Sequence, residues 1–268
     1  MSVDVTPESA GWGYSGLQVV HLAARAEVSR DTGPDEAVVV PLTGACTVVA
    51  DGDRAELAGR PDVFAGVTDV AYVPPGRALT VSSAEGGRFA LATARAAAVH
   101  PFRHVRADEV PVELRGTGSC SRQVHNFGTP DVLAADRIIA CEVITPGGNW
   151  SSYPPHKHDE QRADESALEE IYYYEVARGG PAYQQVYGTP ERPIEVLTEV
   201  RTGDVVLIPH GWHGPSMAAP GYDLYYLNVM AGPGARQWLI RYDPAHAWVR
   251  QTWADQPVDP RLPMGAAR

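Results

Sequence analysis

In the stretch YPPHKHDEQ, His156 and His158 flank Lys157, directly after Pro154 and Pro155. In an extended strand, residues i and i+2 point to the same face. The two imidazoles therefore aim at one point, and Lys157 points away from it. Neutral imidazoles that converge in this way are ligands for a divalent transition metal, and a carboxylate commonly completes the set. Glu169 and Glu170 stand directly before the strand-like IYYYE, and His213 follows the turn residues Pro209 and Gly211, with His210 close by. Three histidines and one of these glutamates would form a mononuclear site with positions left for substrate or water. His210 is read as a surface or supporting residue outside the ligand set. Lys157 is the chain's single lysine. It is expected to be packed or salt-bridged outside the lumen, the alternative being an anchor for a carboxylate across a repeat interface.

The elements that must position these groups read as strands. EAVVVPLTG, CTVVADG, VAYVPPG, ALTVSS, RFALATAR, RIIACEVIT, EEIYYYEV, AYQQVYG, GDVVLIPHG and DLYYLNVMAG are rich in Val, Ile, Tyr and Thr, and Gly, Pro or Asp bounds nearly all of them. No long amphipathic helix is present; short helices are expected near DQPVDPRLPM or over 166–169. This pattern belongs to an all-β sandwich or barrel. The chain also repeats itself. DVAYVPPGRALT, from Asp69, matches DVVLIPHGWHGP, from Asp204, at an offset of 135 residues: Asp69 pairs with Asp204, Pro74 with Pro209 and Gly76 with Gly211. Two tandem barrels are expected, over 1–115 and 116–268. The first has Ala78 where the second has His213, and no HxH precedes EAVVV, so the first barrel is expected to be metal-free and structural.

Composition narrows the partners. A net charge of −11 opposes a nucleic-acid surface, although a few convergent arginines could still take an anionic small molecule. Three widely spaced cysteines without a CxxC pair read as free thiols in a reducing compartment. With no leader pattern and no apolar run of about 18 residues, a cytoplasmic protein without a membrane partner is expected. Barrels rich in strand edges commonly associate, so a homo-oligomer is expected.

The HxH…E and G-x5-P-x-G…H patterns resemble the two cupin motifs. The chain departs from the usual spacing, with eleven residues between His158 and Glu170 and one between Gly211 and His213. The insert DEQRADESALE is expected to loop at the barrel mouth. TPGGNWSSYPPHKHD, LEEIYYY, APGYDLYYLNVMAG, DPRLPM and GRPDVFAGVTDVAYVPPG resemble the 5-deoxy-glucuronate isomerase family, bicupin relatives of the 4-deoxy-5-hexosulose-uronate ketol-isomerases, across residues 10–265. The resemblance implies an all-β bicupin of two jelly-roll barrels. It implies metal ligands at His156, His158, Glu170 and His213, with Glu170 and His213 also catalytic. It further implies conversion of 5-deoxy-glucuronate to 5-dehydro-2-deoxy-gluconate in myo-inositol catabolism. One divalent ion is implied, zinc first, with manganese, iron and nickel compatible. Arginines that the family leads one to expect near Glu175 and Gln185 are absent, and His210 and Trp212 vary a GYH pattern.

A sugar acid needs a cation with two donors. Arg122 and His125 in CSRQVHNFG are read as its contacts, the alternative being an inter-repeat linker; Gln184 and Tyr226, on inner strands, are added to them. The run Tyr172–Tyr174 is read as core, with one hydroxyl open to the cavity as an alternative. Lewis-acid polarisation would acidify the C2 hydrogen. The base is left open between solvent on the ion and a carboxylate such as Glu169, with a hydride shift as the other route. Two rival classes are an iron or manganese redox bicupin, which would consume oxygen or release carbon dioxide, and a non-catalytic cupin that binds a sugar acid unchanged.

Overall fold

The computed structural model describes residues 2–265. Strands run through nearly the whole chain; the helical content is one turn, Pro7–Ala10, and short 3-10 segments, the longest Ala247–Asp255. Strands from Val3 to Val105 form one nine-stranded antiparallel sheet. Two six-stranded sheets follow. The first takes in Val112–Arg115, Arg122–Gly128, Ile139–Thr145, Leu224–Ala231, Glu169–Val176 and Val205–Ile208; the second includes Ala182–Tyr187, Trp212–Ala218, His156–Lys157 and Arg241–Tyr242. The molecule is thus the expected all-β pair of barrels. No helix among the described residues is long and apolar enough to cross a membrane.

One sheet serves two cores. Along Leu224–Ala231, the side chains of Leu224, Tyr226 and Met230 enter the lumen of the second barrel. Those of Tyr225, Leu227, Val229 and Ala231 pack with Leu17, Val19, Val38 and Val40 of the first barrel. Glu169–Val176 divides likewise, with Tyr172 and Tyr174 inward and Ile171 and Tyr173 toward the seam. Burial on both faces explains why LYYLNVMA lacks polar alternation. Each large apolar side chain so buried contributes about 1.5–3 kcal/mol. The lumen of the first barrel is filled by Val39, Val48, Leu57, Val81 and Phe89.

Two carboxylates lace the barrels together. Glu36 accepts the backbone N–H groups of Asp136, Arg137 and Ile138 at 2.9, 2.7 and 2.7 Å. Glu169 accepts those of Gly13, Tyr14 and Ser15 at 2.7, 2.8 and 2.9 Å. Each glutamate begins a strand in one barrel and holds the entry of a strand in the other. Between the clasps lies a buried ion pair of Arg60 and Glu142, joined by the Tyr225 hydroxyl at 2.6 Å and His125 Nδ1 at 3.1 Å. Arg88 donates twice to Glu175, at 2.7 and 2.8 Å.

Several expectations are corrected. EAVVVPLTG and CTVVADG form one strand, Asp35–Ala50, whose pairings shift register near Pro41 and Gly44; Pro41 has no N–H to donate, so the ladder slips where a break was expected. CSRQVHNFG is a strand, Arg122–Gly128, rather than a linker. Val112–Arg115 already pairs with it, so the change of sheet falls before Val112, earlier than residue 115. Residues 166–169 are extended, and the long insert is a β-hairpin of Asp159–Arg162 with Glu165–Ala167. DQPVDPRLPM is not helical beyond Asp255, where Pro257, Pro260 and Pro263 withhold N–H donors.

Candidate metal centre and cavity

His156 lies directly opposite His213 on one neighbouring strand and opposite Tyr242 on the other. Directly opposed residues share a face, so all three side chains enter the lumen, as does His158 two residues on. The ligating atoms of His156, His158 and His213 all lie within 4.8 Å of one another, and the three residues are buried. Glu170 Oε2 is 3.0 Å from His158 Nε2 and 3.0 Å from His213 Nε2.

The second ring nitrogens decide what this convergence means. His158 Nδ1 lies 3.3 Å from the Leu168 carbonyl, and His213 Nδ1 lies 3.3 Å from the Gly211 carbonyl. A neutral ring that gives its Nδ1 proton to that carbonyl turns its Nε2 lone pair toward Glu170. Two lone pairs around one carboxylate oxygen repel unless a cation stands among them. His213 Nε2 is also buried without a hydrogen-bond partner, since its approach to Glu170 has the distance but not the angle. A nitrogen left in that state costs about 1–3 kcal/mol. Burial, reinforced by His213 and His158, holds the His156 pKa well below the ordinary range, so its ring is neutral. Burial pushes Glu170 up, but the neighbouring imidazoles of His213 and His158 outweigh it and hold the carboxyl at about 2. Three converging imidazoles, an ionised carboxylate and an orphaned nitrogen fit a divalent transition ion.

Lys157 stands on the outer face, as its parity requires. Its ammonium donates to Asp159 at 2.5 Å, Glu165 at 2.7 Å and Glu160 at 3.1 Å, and lies 5.7 Å from the Trp212 ring centre. Asp159 also accepts the Gly211 N–H at 2.8 Å. The clasp therefore ties the HKH strand to the turn that delivers His213. A compact ammonium with three free-turning donors suits three carboxylates better than a planar guanidinium. His210 lines the same outer hollow, with Trp212 and Lys157, away from the lumen.

The lumen beyond the histidines is phenolic. Tyr172 and Tyr226 both reach Ser152 Oγ, at 2.9 and 3.3 Å, and the Tyr172 ring centre lies 6.2 Å from that of His213. Tyr174 donates to Gln184 at 2.9 Å, and Ser216 bonds the same amide oxygen. Tyr226 and Gln184 therefore share the lumen with the histidine cluster. Arg122 does too, because Val124, two residues on, packs in the lumenal core. His125 is placed elsewhere: three residues from Arg122, it has the opposite parity and bonds Glu142 and Gln123 in the seam. Glu169 is likewise unavailable as a base, since three backbone N–H groups of the first barrel hold it. Glu175 faces the seam, bonded to Arg88, and Gln185 has the opposite parity to lumenal Gln184, so the missing arginines do not alter the cavity. Tyr242, Arg115, Arg250 and Trp253, which no sequence motif marks, line a cavity of about 410 Å³.

The model of the KduI/IolB family matches residues 1–249. The chain belongs to the KduI/IolB family. A member from Geobacillus kaustophilus (strain HTA426), named 5-deoxy-glucuronate isomerase, is 43% identical over 93% of this chain and 91% of its own. The Bacillus subtilis (strain 168) protein of the same name is 37% identical over 92% and 91%. Among solved structures, an IolB-like protein from Salmonella typhimurium LT2 superposes with a TM-score of 0.87 at 34% identity, over 92% of this chain and 94% of that one. Oxalate decarboxylase from Lactobacillus farciminis reaches 0.65 at 11% identity over 89% and 82%, a likeness of fold alone. This KduI/IolB chain is therefore an isomerase on a bicupin frame.

Proposed function

We propose that the chain is a divalent-metal-dependent aldose–ketose isomerase that converts 5-deoxy-glucuronate to 5-dehydro-2-deoxy-gluconate in myo-inositol catabolism, in the cytoplasm. His156, His158, Glu170 and His213 hold the ion in the second barrel; the first barrel is structural. The observation that carries this reading is the meeting of two Nε2 atoms at one Glu170 oxygen, with the His213 nitrogen otherwise unsatisfied. Relatives named for this reaction support the substrate. Zinc is the first choice, and manganese, iron and nickel suit the same donors. Such an ion, when bound, polarises the substrate carbonyl and its neighbouring hydroxyl as a Lewis acid.

The chain supplies the rest. Burial keeps the Tyr172 and Tyr226 phenols protonated well past neutral pH, so they donate to substrate oxygens. Ser152 links the two hydroxyls and fixes where they point. Glu170 serves as a ligand. Arg122 and Gln184 contact the sugar acid from the same lumen. Leu197, exposed on the edge strand Glu195–Val200, supports self-association of the chain.

Proton NMR of the metal-loaded protein with 5-deoxy-glucuronate in deuterated water tests the reading. The expected result is the ketose with deuterium at C1, without oxygen uptake. An unchanged sugar acid, or one consumed with oxygen or released as carbon dioxide, would overturn it.

A further inference from the structure

Arg115 and Arg122 lie directly opposite one another on neighbouring strands. Their side chains share the lumenal face, where like charges so placed repel. Glu113 offsets Arg115 through two bonds, at 2.8 and 2.7 Å. Arg122 is left with the carbonyls of Cys120 and Tyr153, at 3.0 and 3.4 Å, and no carboxylate among the described residues. At the seam, by contrast, Arg60 has Glu142 and Arg88 has Glu175.

A third guanidinium comes from the other end of the chain. Arg250, on the 3-10 segment Ala247–Asp255, is exposed and has no ion pair among the described residues. It stacks 4.6 Å from the Tyr242 ring centre and 5.6 Å from that of Trp253, and Trp253 also takes Arg122 at 5.5 Å. Tyr242 is the lumenal neighbour of His156, with ring centres 6.2 Å apart. Arg250, Tyr242, Trp253 and Arg122 thus form one wall from the surface to the histidine cluster. Arg115 and Arg250 line the cavity there with one carboxylate, Glu113, and Arg122 stands against Trp253, in a chain whose net charge is −11.

From this we infer that the arginine-lined mouth is the subsite for the carboxylate of the sugar acid, with Arg250 as the residue that selects acids over neutral sugars. A guanidinium presents two parallel donors to a carboxylate, and aromatic stacking fixes its plane. The identity of the sugar rests on the proposed function; the anion site does not.

Gluconate, which has no aldehyde to isomerise, and neutral sorbitol serve as probes by calorimetry on the metal-loaded protein. The wild-type chain is expected to prefer gluconate. Arg250→Gln is expected to weaken gluconate by at least tenfold, leave sorbitol as it was, and raise KM more than it lowers kcat. Arg250→Lys regains part of the loss. Because Arg250 is exposed, an unchanged melting temperature shows that the variant is folded. Gluconate affinity and KM within twofold of wild type in Arg250→Gln, or no gluconate binding by the wild type, would sink the inference. Arginine-dependent gluconate binding without turnover of 5-deoxy-glucuronate would sink the isomerase reading and keep the anion site.

Discussion

The two barrels share a strand plan and differ in what they point inward. Glu36 lies opposite Ala94 and Glu169 opposite Ala231, at the starts of corresponding strands, so Ala37 occupies the place of Glu170. Asp31 lies opposite Ala78 as His156 lies opposite His213, which makes Asp31 and Ala78 the counterparts of those two histidines. The first lumen is plugged by Val39, Val48 and Val81; the second keeps tyrosine, serine and glutamine around its histidines. Framework and chemistry are thus separable in this fold. The clasping glutamates occur in both halves, and the histidine cluster, among the described residues, in only one.

The largest effect expected from breaking that asymmetry is at the ligands. His158→Ala is expected to abolish both stoichiometric metal and turnover while preserving the circular-dichroism spectrum; an active, metal-free variant would refute the site. Next comes the seam. Glu142→Ala leaves Arg60 buried without a counter-ion, and urea unfolding is expected to show a loss of about 3–5 kcal/mol. Burial pushes the Glu142 carboxyl up, but Arg60 and His125 overcome this and hold it at about 2, below its ordinary 4.5. A depressed native pKa gives stability that is present above about pH 4.5 and lost as the pH falls toward 2. Between those values the wild-type chain is expected to lose more stability than Glu142→Gln.

The clasps sharpen the comparison. Glu36→Gln and Glu169→Gln each weaken three bonds to a charged acceptor, and each is expected to cost about 1.5–3 kcal/mol. Losses that differ by more than the smaller of the two would show that the halves are not mechanically equivalent. The smallest effect is the converse substitution. Ala78→His is exposed and is expected to change stability by no more than about 0.5 kcal/mol; metal analysis should still find one ion per chain.

The histidine pair was legible because parity alone sets its direction, and the repeat was legible because strand and turn recur together at a fixed offset. Parity, applied further, would also have separated Arg122 from His125, which stand an odd number of residues apart. Other features depend on closure in space. Glu169 and Glu170 are adjacent in sequence, and only the position of the first barrel shows that one is a clasp. Lys157 gains its meaning from a hairpin folded over it, and Arg250 from a segment more than a hundred residues away from the strand that carries Arg122. No local periodicity encodes such meetings.

The two barrels are not independent of one another. The sheet that carries Glu170 on one face turns Ile144, Ile171, Tyr173, Tyr225 and Leu227 to the other, into a core shared with Leu17, Val19, Val38 and Val40 of the first barrel. Damage at Leu17 or Val38 would therefore reach the histidine-bearing barrel as loss of its backing.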